Sequence, residues 1–175
     1  MDKPGLLSNG PINIVAFGDS ITHGAFNDYN DYEAAYWNVL KKKLNKFRDA
    51  VPVNAINAGI GGSSASSSLS RMERDVLSHH PDLVIVCFGL NDISEEVSQY
   101  ISSLKTIFSE CMATGAEVIF MTPNMLNTYV ADDTPKRWLN YAAQTCVWQN
   151  EGRMDKYISE AIRLAEEMGV TVCDC

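Results

Sequence analysis

Short apolar runs recur along the chain: "INIVAF" (12–17), "VNAIN" (53–57), "LVIVCF" (83–88), "EVIFMT" (117–122) and "VTVCD" (170–174). Each is rich in β-branched residues, too short for a helix and bounded by glycine, proline or polar residues, so the pattern predicts five strands. Near-continuous apolar character, rather than alternation, is what strands buried on both faces require. Between the runs the period changes. Val97, Ile101, Leu104, Phe108 and Cys111 fall on one helical face, as do Met154, Ile158, Ala161, Ala165 and Met168. The same spacing is looser around Trp37, Leu40, Leu44 and Phe47, and around Leu69, Met72 and Val76. Strand and helix therefore alternate, which predicts an α/β fold: a doubly wound parallel sheet of about five strands with helices on both faces, an α/β/α sandwich with right-handed crossovers. A chain of 175 residues has room for a single domain, 1–175, with one substantial core.

In an open parallel sheet the ligand crevice lies beyond the carboxyl ends of the strands, where the strand order reverses. The loops that reach that rim are the ones that follow strands. The first offers Gly18, Asp19, Ser20, Thr22 and His23, the second "AGIGGSS" (58–64), the third "GLND" (89–92). The fourth loop, 122–144, carries Tyr129, Trp138 and Tyr141, which could stack on a sugar or line an acyl pocket; core packing of the following helix is the other reading of Trp138. Alone, each loop is ordinary. Asp19 or Ser20 could simply cap a helix, and "GIGGSS" lacks both the lysine of a P-loop and the full dinucleotide fingerprint. In this order after three successive strands they fit a serine nucleophile served by a glycine N–H and an asparagine amide, donors suited to a developing oxyanion.

"FGDSIT", "NAGIGGSS" and "FGLND" resemble the first three sequence blocks of the GDSL-type, or SGNH, hydrolases, in their usual order, from the first strand through the third. The resemblance implies a flavodoxin-like fold and an ester hydrolase that needs no metal and no organic cofactor. It makes Ser20 the nucleophile, Gly62 an oxyanion donor through its backbone N–H, Asn91 a second donor through its side-chain amide, and the Ser20 N–H a third. The second-block glycine is aligned at Gly62, with Gly59 and Gly61 as alternatives. The family's fourth block, Asp-x-x-His after the fifth strand, supplies the base and its orienting carboxylate, and no Asp of this sequence is followed three positions later by His. Of the three histidines, His79 and His80 precede the third strand and so sit at the wrong sheet edge; His23, three residues beyond Ser20, is the alternative base. The expectation is a domain lacking its Asp-x-x-His segment, almost inactive as it stands; a catalytically reduced relative is the competing reading.

Composition narrows the partners. A net charge of −8 leaves no basic footprint, and Lys41, Lys42 and Lys43 form only a short run, which argues against nucleic acid. No stretch reaches the roughly 20 apolar residues of a membrane span, and the opening "MDKPGLLSNGP" lacks the pattern of a signal peptide, so a soluble, cytoplasmic protein is expected. Five cysteines without framework spacing read as reduced thiols, and the Cys173–Cys175 pair lacks the further ligands of a zinc site. The expected partner is a small-molecule ester, with short acyl groups such as acetyl on a carbohydrate favoured over long chains because no long apolar lid is evident. Oligomeric state is unassigned. The competing class is a small-molecule binding or regulatory protein on the same crevice; a phosphate-binding protein would rest on "GIGGSS" alone.

Overall fold

The computed structural model describes residues 10–26, 29–47 and 51–175. Its main sheet has five strands: β1 (Ile12–Gly18), β2 (Val53–Gly59), β3 (Leu83–Cys87), β4 (Glu117–Met121) and β5 (Thr171–Cys173). All neighbours pair in parallel, in the order β2-β1-β3-β4-β5. The order reverses between β1 and β3, so the crevice of this flavodoxin-like sheet opens above the ends of those two strands. A two-residue hairpin, Ala25–Phe26 with Tyr29–Asn30, stands apart from the sheet.

The apolar runs are continuous because both faces are covered. Val15, Phe17, Val84, Val86 and Phe88 belong to one core, with Leu104, Ile107 and Phe108 of helix α3 (Val97–Ala113) and Ala161 and Ala165 of helix α5 (Arg153–Glu167). The alternate residues Ile12, Ile14, Leu83 and Ile85 pack on the other face against Leu40 and Leu44 of helix α2 (Tyr36–Lys46). Coverage of that face is uneven: Ile119 and Met121 are only partly buried, and Ile119 lines a groove of about 560 Å³ together with Leu40 and Leu44.

Two expectations need correction. The helix expected around Leu69, Met72 and Val76 is broken into Ala65–Ser68, a 3-10 turn at Leu69–Arg71, and Met72–Asp75. Three consecutive serines, which compete for backbone hydrogen bonds, lie in its first turn. The stretch 122–144 is not loop throughout: helix α4 (Leu139–Asn150) begins inside it. The opening residues 1–9, on which the cytoplasmic reading rests, lie outside the described residues.

Candidate active site

β1 ends at Gly18, and the chain turns at once into α1 (Ser20–His23), a single helical turn capped by Asp19, whose Oδ1 accepts the Ile21 N–H at 2.9 Å. The capping role weighed for Asp19 is thus real, and it leaves the Ser20 side chain free for other work. Side-chain donors hold α1 from two sides: Trp37 Nε1 donates to the Thr22 carbonyl at 2.9 Å, and Asn57 Nδ2 to the His23 carbonyl at 3.1 Å.

The three glycines of the second loop divide their tasks. Gly59 lets α1 sit on the end of β2, since a Cβ there would lie 2.2 Å from the His23 nitrogen. Gly61 faces the Ser20 turn, its Cβ position 3.8 Å from Ser20 Cβ. Gly62 has φ +79°, a conformation glycine adopts at no steric cost, and it borders a cleft with Asn91. The family resemblance aligns the donor at Gly62, with Gly59 and Gly61 as alternatives.

The third loop closes the group. Asn91 Nδ2 donates to the Ser63 carbonyl at 3.0 Å and lies 3.4 Å from Asp19 Oδ2. Asn91 is therefore on the Ser20 edge of the sheet, fixed between the second loop and the residue before Ser20. Its neighbour Asp92, fully buried, accepts the Ala65 N–H at 2.8 Å. Ser66 Oγ donates to both Glu95 carboxylate oxygens, at 2.9 and 3.1 Å. The structure thus gathers Ser20, Gly61, Gly62 and Asn91 on one edge of the sheet: Gly62 and Asn91 line one cleft, Gly61 faces Ser20, and the Asn91 amide reaches the residue before Ser20. Of the histidines, His23 shares α1 with Ser20, while His79 lies at the other edge of the sheet. His23 Nε2 is engaged by the Tyr32 hydroxyl at 3.2 Å, and the His79 carbonyl accepts from Asn13 at the amino end of β1, the opposite edge. Among the described residues there is no group of His, Cys, Asp and Glu able to hold a metal ion.

Beside Gly62 and Asn91 opens a cleft of about 380 Å³, within the range of small-molecule sites. Ser64, Ser94 and Glu95 give it a polar wall, and Tyr141 and Trp148 of α4 an aromatic one. Trp148 packs under the Arg153 guanidinium, 5.6 Å from its ring, and that guanidinium donates to the Ile93 and Glu95 carbonyls at 2.9 and 3.0 Å. Trp148 and Glu95 escaped sequence reasoning. Trp138, which drew attention instead, is 53% exposed and joins neither the core nor the cleft.

Burial shapes the electrostatics. It pushes Asp92 up to about 7, aided by the nearby Glu95 and Asp19 carboxylates and opposed by the Ala65 N–H. It pushes Asp19 up to about 6 against the pull of the Ile21 N–H. Asp92 Oδ2 has no hydrogen-bond partner among the described residues, so its charged form is poorly supported. A raised pKa means that the folded state holds its proton more tightly than the unfolded chain. The resulting stability is present below about pH 4, the unfolded value, and is lost as pH rises through the folded values of about 6 and 7. Between pH 4.5 and 7.5 urea unfolding of the wild type should therefore lose stability, by roughly a few kcal/mol. Asp92→Asn, which mimics the protonated acid, should flatten that slope; parallel slopes in the two proteins would rule the assignment out.

The model of the GDSL-like lipase/acylhydrolase family matches residues 16–175. The chain belongs to that family. This GDSL-family chain is 38% identical over 90 residues to an uncharacterized lipoprotein, YqeF, of Bacillus subtilis (strain 168), a match spanning 50% of the chain but only 35% of that protein. Among solved structures it superposes on a lipase/acylhydrolase from Enterococcus faecalis with a TM-score of 0.67 at 25% identity, over 92% of the chain and 74% of that structure. An acetyl xylan esterase, AlAXEase, gives 0.69 at 24%, covering 93% and 77%. Axe2, an acetylxylan esterase from Geobacillus stearothermophilus, gives 0.68 at 21%, covering 94% and 77%. These last two likenesses are of fold. The family is one of lipases and acylhydrolases. Among the described residues no helix is long and apolar enough to cross a membrane. A match to a lipoprotein lends nothing to the cytoplasmic placement.

Proposed function

We propose that this GDSL-family protein hydrolyses carboxylic esters through an acyl-enzyme formed on Ser20. The observation that carries this is the meeting of the Ser20 turn, the Gly61–Gly62 turn and the Asn91 amide above the β1/β3 switch point. Ser20 Oγ attacks the ester carbonyl carbon and gives up its proton to a base. The carbonyl oxygen takes the negative charge and is met by the Gly62 and Ser20 N–H groups and the Asn91 amide. The tetrahedral intermediate collapses, the C–O bond to the alcohol breaks, and the base returns the proton to the leaving oxygen. Water then repeats the sequence to free the acid. In the family resemblance that base is the histidine of the Asp-x-x-His block, a pattern that none of the three histidines of this sequence matches.

The cleft favours a short acyl group on a polyhydroxylated alcohol. Trp148 and Tyr141 can stack on the C–H face of a sugar ring, while Ser64, Ser94 and Glu95 can hydrogen-bond its hydroxyls. Glu95, in a chain of net charge −8, disfavours anionic substrates. Likeness in fold to acetyl xylan esterases is in keeping with this reading. A non-hydrolytic binding protein is the second reading, favoured by the engagement of His23 with Tyr32 and the placement of His79 at the far edge.

Fluorophosphonate labelling of the full-length protein followed by peptide mass spectrometry separates the two. An adduct on Ser20, absent from Ser20→Ala, is expected. Folded full-length protein that takes no label on Ser20 would leave the binding reading standing.

A further inference from the structure

Arg71 lies outside the crevice, yet it touches both turns that form it. Its guanidinium is buried, with Arg71 only 8% exposed. Nη1 donates to the Ala58 carbonyl at 2.7 Å and Nη2 to the Gly18 carbonyl at 3.2 Å. These carbonyls stand at the ends of the adjacent strands β2 and β1, in neighbouring rungs of the ladder, where Phe17 pairs with Ala58 and Gly18 with Gly59. One residue beyond Gly18 the chain reaches Asp19 and Ser20; beyond Ala58 it reaches the Gly59–Gly62 turn. The Gly18 carbonyl also accepts the Ile60 N–H at 3.1 Å, so one oxygen joins the first turn both to the second and to Arg71. Ser68 Oγ at 3.2 Å and Asp75 at 3.3 Å steady the guanidinium from its own segment, and its carbon sits 4.7 Å from the centre of the Phe17 ring.

A buried cation is costly, and a well-packed apolar residue would fill such a site at equal or better stability. A rigid fork that binds two carbonyls at once does something an apolar residue cannot: it sets the separation between two strand ends. We infer that Arg71 is a positioning residue, which holds the Ser20 turn and the glycine turn at the spacing the oxyanion requires. The inference rests on the esterase reading for its kinetic consequence. Misplacing a reacting group by about 1 Å can cost on the order of 100-fold.

The test compares Arg71→Lys and Arg71→Met with wild type in the full-length protein, on a short aryl acetate. Lysine keeps the charge but presents no planar fork. Both variants should lose roughly 10- to 100-fold in kcat with KM within about threefold, lysine being the milder. Amide hydrogen exchange should rise together over residues 18–24 and 59–63. A merely structural role would leave folded variants with kcat within twofold of wild type at a temperature well below unfolding, and that result overturns the inference, as does a loss confined to KM. Should neither variant fold, Ser68→Ala and Asp75→Asn each remove one support of the guanidinium. Each should lower kcat about threefold at nearly unchanged Tm, and unchanged kcat in both is equally fatal. If the wild type neither labels on Ser20 nor turns over, the esterase reading is what has failed. Hydrogen exchange then judges the clamp alone, and exchange that does not rise in the two turns together sinks it.

Discussion

Ser20→Ala should abolish ester turnover by the full-length protein while leaving its fold intact. In a serine hydrolase the catalytic groups act as a unit, and loss of the nucleophile costs on the order of a million-fold in kcat. What remains, about 1,000- to 10,000-fold over water, comes from the oxyanion donors and binding. The fold should tolerate the change because α1 does not depend on the Ser20 hydroxyl. Its cap comes from Asp19, its later carbonyls are held by Trp37 and Asn57, and Ser20 is only half-buried. Thermal unfolding should shift by no more than surface substitutions do, about 0.5 kcal/mol. The measurement is steady-state hydrolysis of a short aryl ester beside a melting curve. Activity within tenfold of wild type would require another nucleophile.

Asn91→Ala should lower kcat by about 100- to 1,000-fold, the usual cost of one oxyanion donor, with KM little changed. Two backbone donors would remain, so the loss should be smaller than for Ser20→Ala. The structure adds a particular to this expectation. The Asn91 amide already spans the Ser63 carbonyl at 3.0 Å and Asp19 at 3.4 Å, and the longer contact is the one an oxyanion would displace. Asn91→Asp should be worse than alanine, because it replaces the donor by a third carboxyl beside the buried Asp19 and Asp92. Activity ranked Ala, then Asp, at unchanged KM supports the role; a loss that appears only in KM would make Asn91 a substrate contact instead.

Much of this was written into the order of residues. Val15 and Phe17 turn to one face of β1 while Ile14 and Ala16 turn to the other, and both faces are buried, so "INIVAF" could only be an apolar run. The same physics made "LVIVCF" and "EVIFMT" legible. Once the strands are known to be parallel, the loops after β1, β2 and β3 must open on one edge, which is why the loops carrying Ser20, Gly59–Gly62 and Asn91 group on one rim, while the choice of Gly62 among the glycines comes from the family resemblance. The amino ends of the strands open on the other edge, which placed His79 and His80 there.

Other features had no linear signal. α4 rests on α5 rather than on the sheet and buries only Thr145, so it has no apolar stripe to mark its start, and Trp148 looked no more telling than Trp138. The sequence does not say what Gly59, Gly61 and Gly62 each do; they part company because one strand end must accept α1, one turn must face Ser20, and one backbone must adopt a positive φ. Arg71, in "SRMERD", has the local character of a solvated helix face. Only when the segment 65–75 is folded under the ends of β1 and β2 does its guanidinium meet the Gly18 and Ala58 carbonyls. Periodicity records which side of an element is dry, and so it reveals strands, helices and the edge where loops gather. It carries no record of which polar group, far off in the chain, will satisfy a carbonyl at a strand end, and that pairing sets the spacing of the site.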